Sequence, residues 1–259
     1  MTRALGYEQR DLAAVWREVT ATLRPRPDSA DGPLPPLLLT LTVVTGLVDA
    51  TSYLKLGHVF VANMTGNVVF LGFGIAGAGG ISVSASLTAL GSFLVGGVAG
   101  GRIGARWSSD RARYLTATTS TELLLVATAL VLAALSTHHL GTASRYGVIV
   151  LLAIAMGVQN TAARKLAVPD LTTTVLTMTL TGLAADSALA GGSGSKLGRR
   201  GLSIAAMLLG ALIGGLLALK VDNPAPLALA TGLLAAVSFL TYRVARSTPP
   251  WARRALIRP

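Results

Sequence analysis

The sequence predicts an all-α, polytopic membrane protein of about six crossings, built as two inverted three-crossing repeats with re-entrant or broken helices. Three observations carry that prediction. Only 13% of the 259 residues are charged and 52% are hydrophobic, whereas soluble domains carry about 25% charged residues. The apolar residues gather into long stretches with no extended alternating pattern, which excludes an outer-membrane barrel. The two halves of the chain resemble each other at a nearly constant offset.

Residues 1–36 form a polar cytoplasmic segment with ten charges and no apolar core of the signal-peptide kind. Within it Leu12, Val15, Trp16, Val19 and Leu23 recur at helical spacing, which predicts a short amphipathic helix on the membrane or on the protein's inner face. Pro33, Pro35 and Pro36 are expected to stop it. Eight apolar stretches follow, at about 37–54, 58–76, 84–105, 114–136, 146–163, 168–190, 201–219 and 227–242. A spanning helix needs about 20 apolar residues, and several of these fit while others are short. Membrane repeat 1 occupies 37–136, membrane repeat 2 occupies 137–243, and 244–259 is a basic cytoplasmic tail.

The repeat rests on three ordered matches. Gly46-Leu47-Val48-Asp49 aligns with Gly157-Val158-Gln159-Asn160 at an offset of 111, and Thr65 and Leu71 align with Thr177 and Leu183 at 112. The Gly-rich stretch from Leu94 to Gly101 aligns with that from Leu208 to Gly215 at 114. The offset drifts in one direction, as small loop insertions would make it.

Charge then selects the topology. With eight crossings, Arg102, Arg106, Arg111 and Arg113 would lie outside, against the positive-inside rule. If the first two stretches of each half make one net crossing, 19 of the 22 Lys and Arg lie inside and only Lys55, Arg145 and Lys220 outside. Three crossings per half insert the second half upside down, the inverted arrangement of many secondary transporters. Stretches 58–76 and 168–190 would then be the re-entrant or broken ones. Re-entry by the first stretch of each half gives 18 to 4, so charge alone leaves that choice open.

The run Gly46-Leu-Val-Asp49-Ala-Thr-Ser-Tyr53, followed by Val59-Phe60-Val-Ala-Asn63-Met64-Thr65-Gly66-Asn67, resembles the signature of the YoaK family. Gly157-Val-Gln159-Asn160-Thr-Ala-Ala-Arg164, followed by Thr172-Thr-Thr174-Val-Leu-Thr177, is similar to its partner motif. The resemblance spans about residues 37–242. It implies a small bacterial inner-membrane protein with about six membrane helices, and it supplies no substrate or catalytic residues. Met178 stands where that pattern carries Gly, which predicts a less sharp break in the second half.

Polar groups inside the apolar stretches mark the candidate binding site. Asp49 lies deep in the first stretch, where a carboxylate costs roughly 2.5–3.5 kcal/mol on insertion scales, and its repeat mate is the neutral Asn160 beside Gln159. Two roles suit Asp49: a cation or proton site, or a structural acceptor that caps a broken helix or pairs with Lys55. Asn63, Thr65, Gly66 and Asn67 in one half, and Thr174 and Thr177 among the threonines of 172–181 in the other, supply groups that satisfy backbone at a helix break or meet a ligand there. Glu122, eight residues into its stretch, is expected to pair with an arginine such as Arg102. The glycines at 96, 100, 104, 210 and 214 read as close helix packing.

Enzyme signals are weak. Gly72, Gly74 and Gly77 fit G-x-G-x-x-G without the βαβ context it requires. His138 and His139 are adjacent in a short loop and are expected to be solvated. With no cysteine, disulfides and thiol nucleophiles are excluded. No catalytic residue, metal or cofactor is expected, and no nucleic-acid partner, since basic residues are not interleaved with aromatics. The expected partners are the lipid bilayer, an unidentified small solute or ion, and a second copy in a homodimer. These features predict a multi-pass protein of the bacterial inner (plasma) membrane, both termini cytoplasmic, acting as a secondary transporter or channel-like permease with a central site. The alternative is a non-transporting scaffold or accessory subunit.

Overall fold

The computed structural model describes the backbone of residues 2–26, 29–136, 141–174, 176–187, 190–192, 196–221, 224–247, 250–253 and 256, with side chains from residue 13 onward. His138, His139, Arg254, Arg258 and the side chain of Leu12 lie outside the described residues. Among the described residues the protein is all helix: α1 (Thr2–Leu23), α2 (Leu34–Lys55), α3 (Met64–Ile75), α4 (Val83–Arg106), α5 (Arg111–Leu135), α6 (Thr142–Leu166), α7 (Leu176–Ala185), α8 (Leu197–Lys220) and α9 (Ala225–Arg246), then a 3-10 turn at Pro250–Arg253. Six of these, α2, α4, α5, α6, α8 and α9, are long and apolar enough to cross a membrane. The protein is a polytopic all-α membrane protein.

All eight apolar stretches become helices, and the short one in each half is the second. Helix α3 has 12 residues and α7 has 10, or roughly 18 and 15 Å at 1.5 Å per residue, against the ~30 Å of a hydrocarbon core. Helix α1 ends at Leu23, ahead of Pro25, rather than at the later prolines. Pro35 and Pro36 instead open α2, where a missing N–H costs nothing because the first-turn amides have no intrahelical partner. Ser82 caps α4 by accepting the Ala85 amide, and Asp110 caps α5 by accepting that of Arg113.

Long-range contacts sort the helix ends onto two faces. Trp251 packs against Gly32, and the Leu256 amide donates to the Ser108 carbonyl at 2.8 Å. Arg111 donates to the Leu166 carbonyl at 2.5 Å, and Glu18 accepts the Gly198 amide at 2.9 Å. Those four contacts place the N-terminal segment, the α4–α5 loop, the end of α6, the start of α8 and the C-terminal tail on one face, which we call the basic face. Opposite it, Ser84 meets Tyr146 at 2.6 Å and Gly57 lies beside Arg145. Arg102, Arg106, Arg111 and Arg113 therefore share a face with α1 and the Pro250–Arg253 turn.

The closest helix contacts are reciprocal between the halves. A Cβ on Gly46 of α2 would strike Met207 and Ala211 of α8 at 2.6 Å; one on Gly157 of α6 would strike Phe93 and Gly97 of α4. Conversely, Gly210 abuts the Val43 carbonyl and Gly96 that of Ile154, while Gly214 meets Leu47 and Gly100 meets Val158. Each pair is related by the offsets of 111 and 114 found in the sequence. Helix α2 thus packs on α8 as α6 packs on α4, through glycines that let the backbones touch. No ligand is needed to explain these glycines.

Candidate functional site

Both short helices begin inside the protein because a side chain of the preceding span holds the connecting loop there. After α2 the chain turns through left-handed Gly57 (φ 96°) and His58 (φ 56°) and runs back along the helix. One Asp49 carboxylate oxygen accepts the amides of Val61 at 3.0 Å and Ala62 at 2.8 Å, and the Asn63 amide also points at this carboxylate. Asp49 lies six residues before the end of α2, roughly 9 Å below it. The loop therefore re-enters to that depth, and α3 leads back out.

The second half does the same with a neutral group. Asn160 also lies six residues before the end of its helix, α6. Its side-chain carbonyl accepts the Thr174 hydroxyl, and its amide donates to the Met156 carbonyl at 2.9 Å. Left-handed Ala167, Asp170 and Thr173 (φ 49°, 64° and 61°) turn the chain back. With Met178 in place of Gly, the break is made before α7 by these residues, and Met178 itself is exposed.

The two re-entrant helices bring their N-terminal ends to a shared pair of cavities. One, of about 460 Å³, is bordered by Gly46, Asp49, Tyr53, Phe60 and Met207; the other, of about 490 Å³, by Met64, Thr65, Gly66, Phe93 and Asn160. Asn63, Thr174 and Thr177 line both. Asn63 also caps α3 by accepting the Gly66 amide at 3.4 Å. Gly66 is needed because a Cβ there would strike the Phe60 ring at 2.8 Å. The unpaired first-turn amides of a helix carry a partial positive charge, so the region between α3 and α7 combines that field with neutral hydroxyl and amide side chains.

Two predicted site residues stand apart from the cavities. Asn67 is fully buried and clasps the backbone of Phe60, accepting its amide at 2.9 Å and donating to its carbonyl at 2.6 Å. Gln159 joins α6 to α2 by donating to the Thr45 hydroxyl at 2.7 Å. Asp49 does not pair with Lys55, since its carboxylate is taken by loop amides. Glu122, 1% exposed, makes no ion pair with Arg102 among the described residues, because Arg102 is exposed on α4 while Glu122 faces inward. Gly72 and Gly74 lie in α3 with no strand before them.

Sequence reasoning missed two groups. Tyr53, Phe60 and Phe70 cluster at centroid distances of 5.1 to 6.1 Å, Tyr53 and Phe60 bordering the first cavity and Phe70 the second. On the basic face, Arg200 of α8 bridges Asp170 before α7 at 2.9 Å and Asp186 after it at 2.7 Å, with Lys196 adding a contact to Asp170 at 3.4 Å. Burial opposes the Asp170 charge, but the hydrogen bond and charge of Arg200, with those of Lys196, outweigh it and hold the carboxyl below its usual range. The signal for this clasp was one acidic residue on each side of a short apolar stretch.

Residues 37–240 match the family model described as "Protein of unknown function (DUF1275)". The chain is also 38% identical over 150 residues to the UPF0700 transmembrane protein YoaK of Bacillus subtilis (strain 168), a match covering 58% of this chain and 65% of that protein, just under two thirds of its length. No solved structure matches.

Proposed function

The chain belongs to the DUF1275 family, and from its own geometry we propose that it is a small secondary transporter or channel-like permease for a small solute or ion, its site lying between two inverted repeats. The observation that carries this reading is the convergence of α3 and α7 on shared cavities, with Asn63, Thr174 and Thr177 lining both. Re-entrant helices whose N-termini end at a polar cavity within a bilayer form sites for solutes and ions. The reciprocal glycine contacts and the matched stations of Asp49 and Asn160 support the inverted repeat. The positive-inside rule supports a cytoplasmic basic face, hence cytoplasmic termini and residence in the inner membrane.

A scaffold without transport is favoured by a different observation: Asp49, Asn67 and Gln159 are all engaged with the protein's own backbone or side chains. One experiment separates the two. Proteoliposomes holding the full chain are challenged with gradients of glycerol, urea, formate and nitrate, and volume change is followed by light scattering. A permease moves at least one of these faster than protein-free liposomes do, and Thr177→Phe, which fills both cavities, returns the rate to that control. If none moves faster, and none shifts the thermal unfolding midpoint of the purified protein, the scaffold reading stands instead.

A further inference from the structure

A further cavity lies away from the re-entrant helices, on the basic face, and its lining is cationic. It has a volume of about 840 Å³ and is bordered by Arg17 of α1, Arg24, Arg26 and Ser29 of the α1–α2 connection, Pro35 at the start of α2, and Arg199 at the start of α8. Asp31 also borders it, but its carboxylate is engaged with Arg111 at 3.4 Å. Among the described residues, none of the four lining arginines forms an ion pair. The Ser29 hydroxyl is buried there without a hydrogen-bond partner. Like charges gathered around a concave space repel one another unless an anion joins them, and guanidinium forks match phosphate oxygens.

The surroundings fix the depth of this cavity. Pro35 and Arg199 are each within three residues of a span's end, so the cavity opens at headgroup level. Helix α1 is held there through Glu18, whose carboxylate accepts the Gly198 amide at the N-terminus of α8. Arg17, Thr20 and Ala21 form one stripe of α1 at helical spacing, which Arg24 continues one residue past the helix end, and the neighbouring stripe bears exposed Trp16 (66%) and Leu23 (47%). Aromatic and aliphatic side chains flanking a basic stripe suit a helix lying in the interface.

We propose that this arginine cavity binds a phosphate-bearing anion at the basic face, with Arg17, Arg24, Arg26 and Arg199 as its cationic ligands and Ser29 as a hydroxyl donor. A phospholipid headgroup and a free phosphate share that chemistry, and the test tells them apart. The full chain is reconstituted in phosphatidylcholine vesicles, in phosphatidylcholine vesicles containing phosphatidylglycerol, and in phosphatidylcholine vesicles with added inorganic phosphate. Thermal unfolding and co-purifying lipid are measured for the parent, Arg24→Gln, Arg199→Gln and the control Arg243→Gln, which lies on the same face outside the cavity. Stabilisation by phosphatidylglycerol alone, weakened about fivefold in apparent affinity by either cavity variant at roughly 1 kcal/mol per basic residue and unaffected by Arg243→Gln, identifies a lipid headgroup. Stabilisation by inorganic phosphate with the same variant pattern identifies a soluble anion. The proposal is overturned if neither stabilises the parent, or if Arg243→Gln weakens the effect as much as the cavity variants do.

Discussion

Asp49 and Asn160 hold the same station in the two halves: each lies six residues before the end of its span and fastens the loop that leads into a short helix. The fastening differs in kind. Asp49 accepts two backbone amides through one oxygen, whereas Asn160 accepts a single hydroxyl, from Thr174. A carboxylate that accepts backbone N–H groups forms charge-assisted bonds, which are about twice as strong as neutral ones.

That difference predicts how Asp49 variants behave. Asp49→Asn keeps an oxygen for the Val61 and Ala62 amides, whereas Asp49→Ala strands two buried donors at roughly 1–3 kcal/mol each. Asp49→Ala should therefore lower the unfolding midpoint far more than Asp49→Asn. If the charge also serves transport, Asp49→Asn yields a folded protein with reduced solute flux, read in the same proteoliposomes. Equal midpoints for Ala and Asn would refute the anchoring role.

The glycine contacts predict paired effects. Gly46→Val and Gly157→Val each push a side chain into the backbone of the facing helix, and overpacking of this kind costs about 1–3 kcal/mol. Their midpoints should fall by similar amounts. Gly101→Ala, with nothing within 4 Å of its added Cβ, should be neutral or slightly stabilising, since Gly in a helix costs about 0.5–1 kcal/mol relative to Ala.

The Arg200 clasp predicts acid sensitivity. Because the Asp170 carboxyl is held below its usual range, its contribution to stability is fully present above the unfolded pKa of about 3.9. It is lost as pH falls through the lower folded value. Unfolding midpoints scanned downward from neutral pH should show this loss in the parent and a smaller one in Arg200→Gln. A parent and variant with parallel pH profiles would leave the clasp without an energetic role.

Sidedness is open to labelling without background, because the chain has no cysteine. Gly79 and Ser109 are exposed in the α3–α4 and α4–α5 connections, on opposite faces. In intact cells, Gly79→Cys should react with a membrane-impermeant thiol reagent and Ser109→Cys should react only after permeabilisation. The reverse at both positions would place the basic face outside.

The sequence by itself determined the class, the eight apolar helices and the internal likeness of the two halves. Those features are written locally: apolar side chains favour the bilayer wherever they occur, helical spacing follows from the chain, and basic residues between spans record which loops share a face. It also brought Asp49, Asn160, Asn63 and Thr174 to notice, because polar groups in an apolar stretch are costly unless something meets them. Only the tertiary structure decided which stretch of each half re-enters and what each polar group meets. Hydropathy scores α3 and α7 like any other apolar helix. Whether a chain crosses or turns back depends on bonds between positions twelve or more residues apart, such as Asp49 with Val61 and Ala62. The same long reach took Gln159 to Thr45 and Trp251 beneath Gly32, and gathered arginines of α1, the α1–α2 connection and α8 around one cavity.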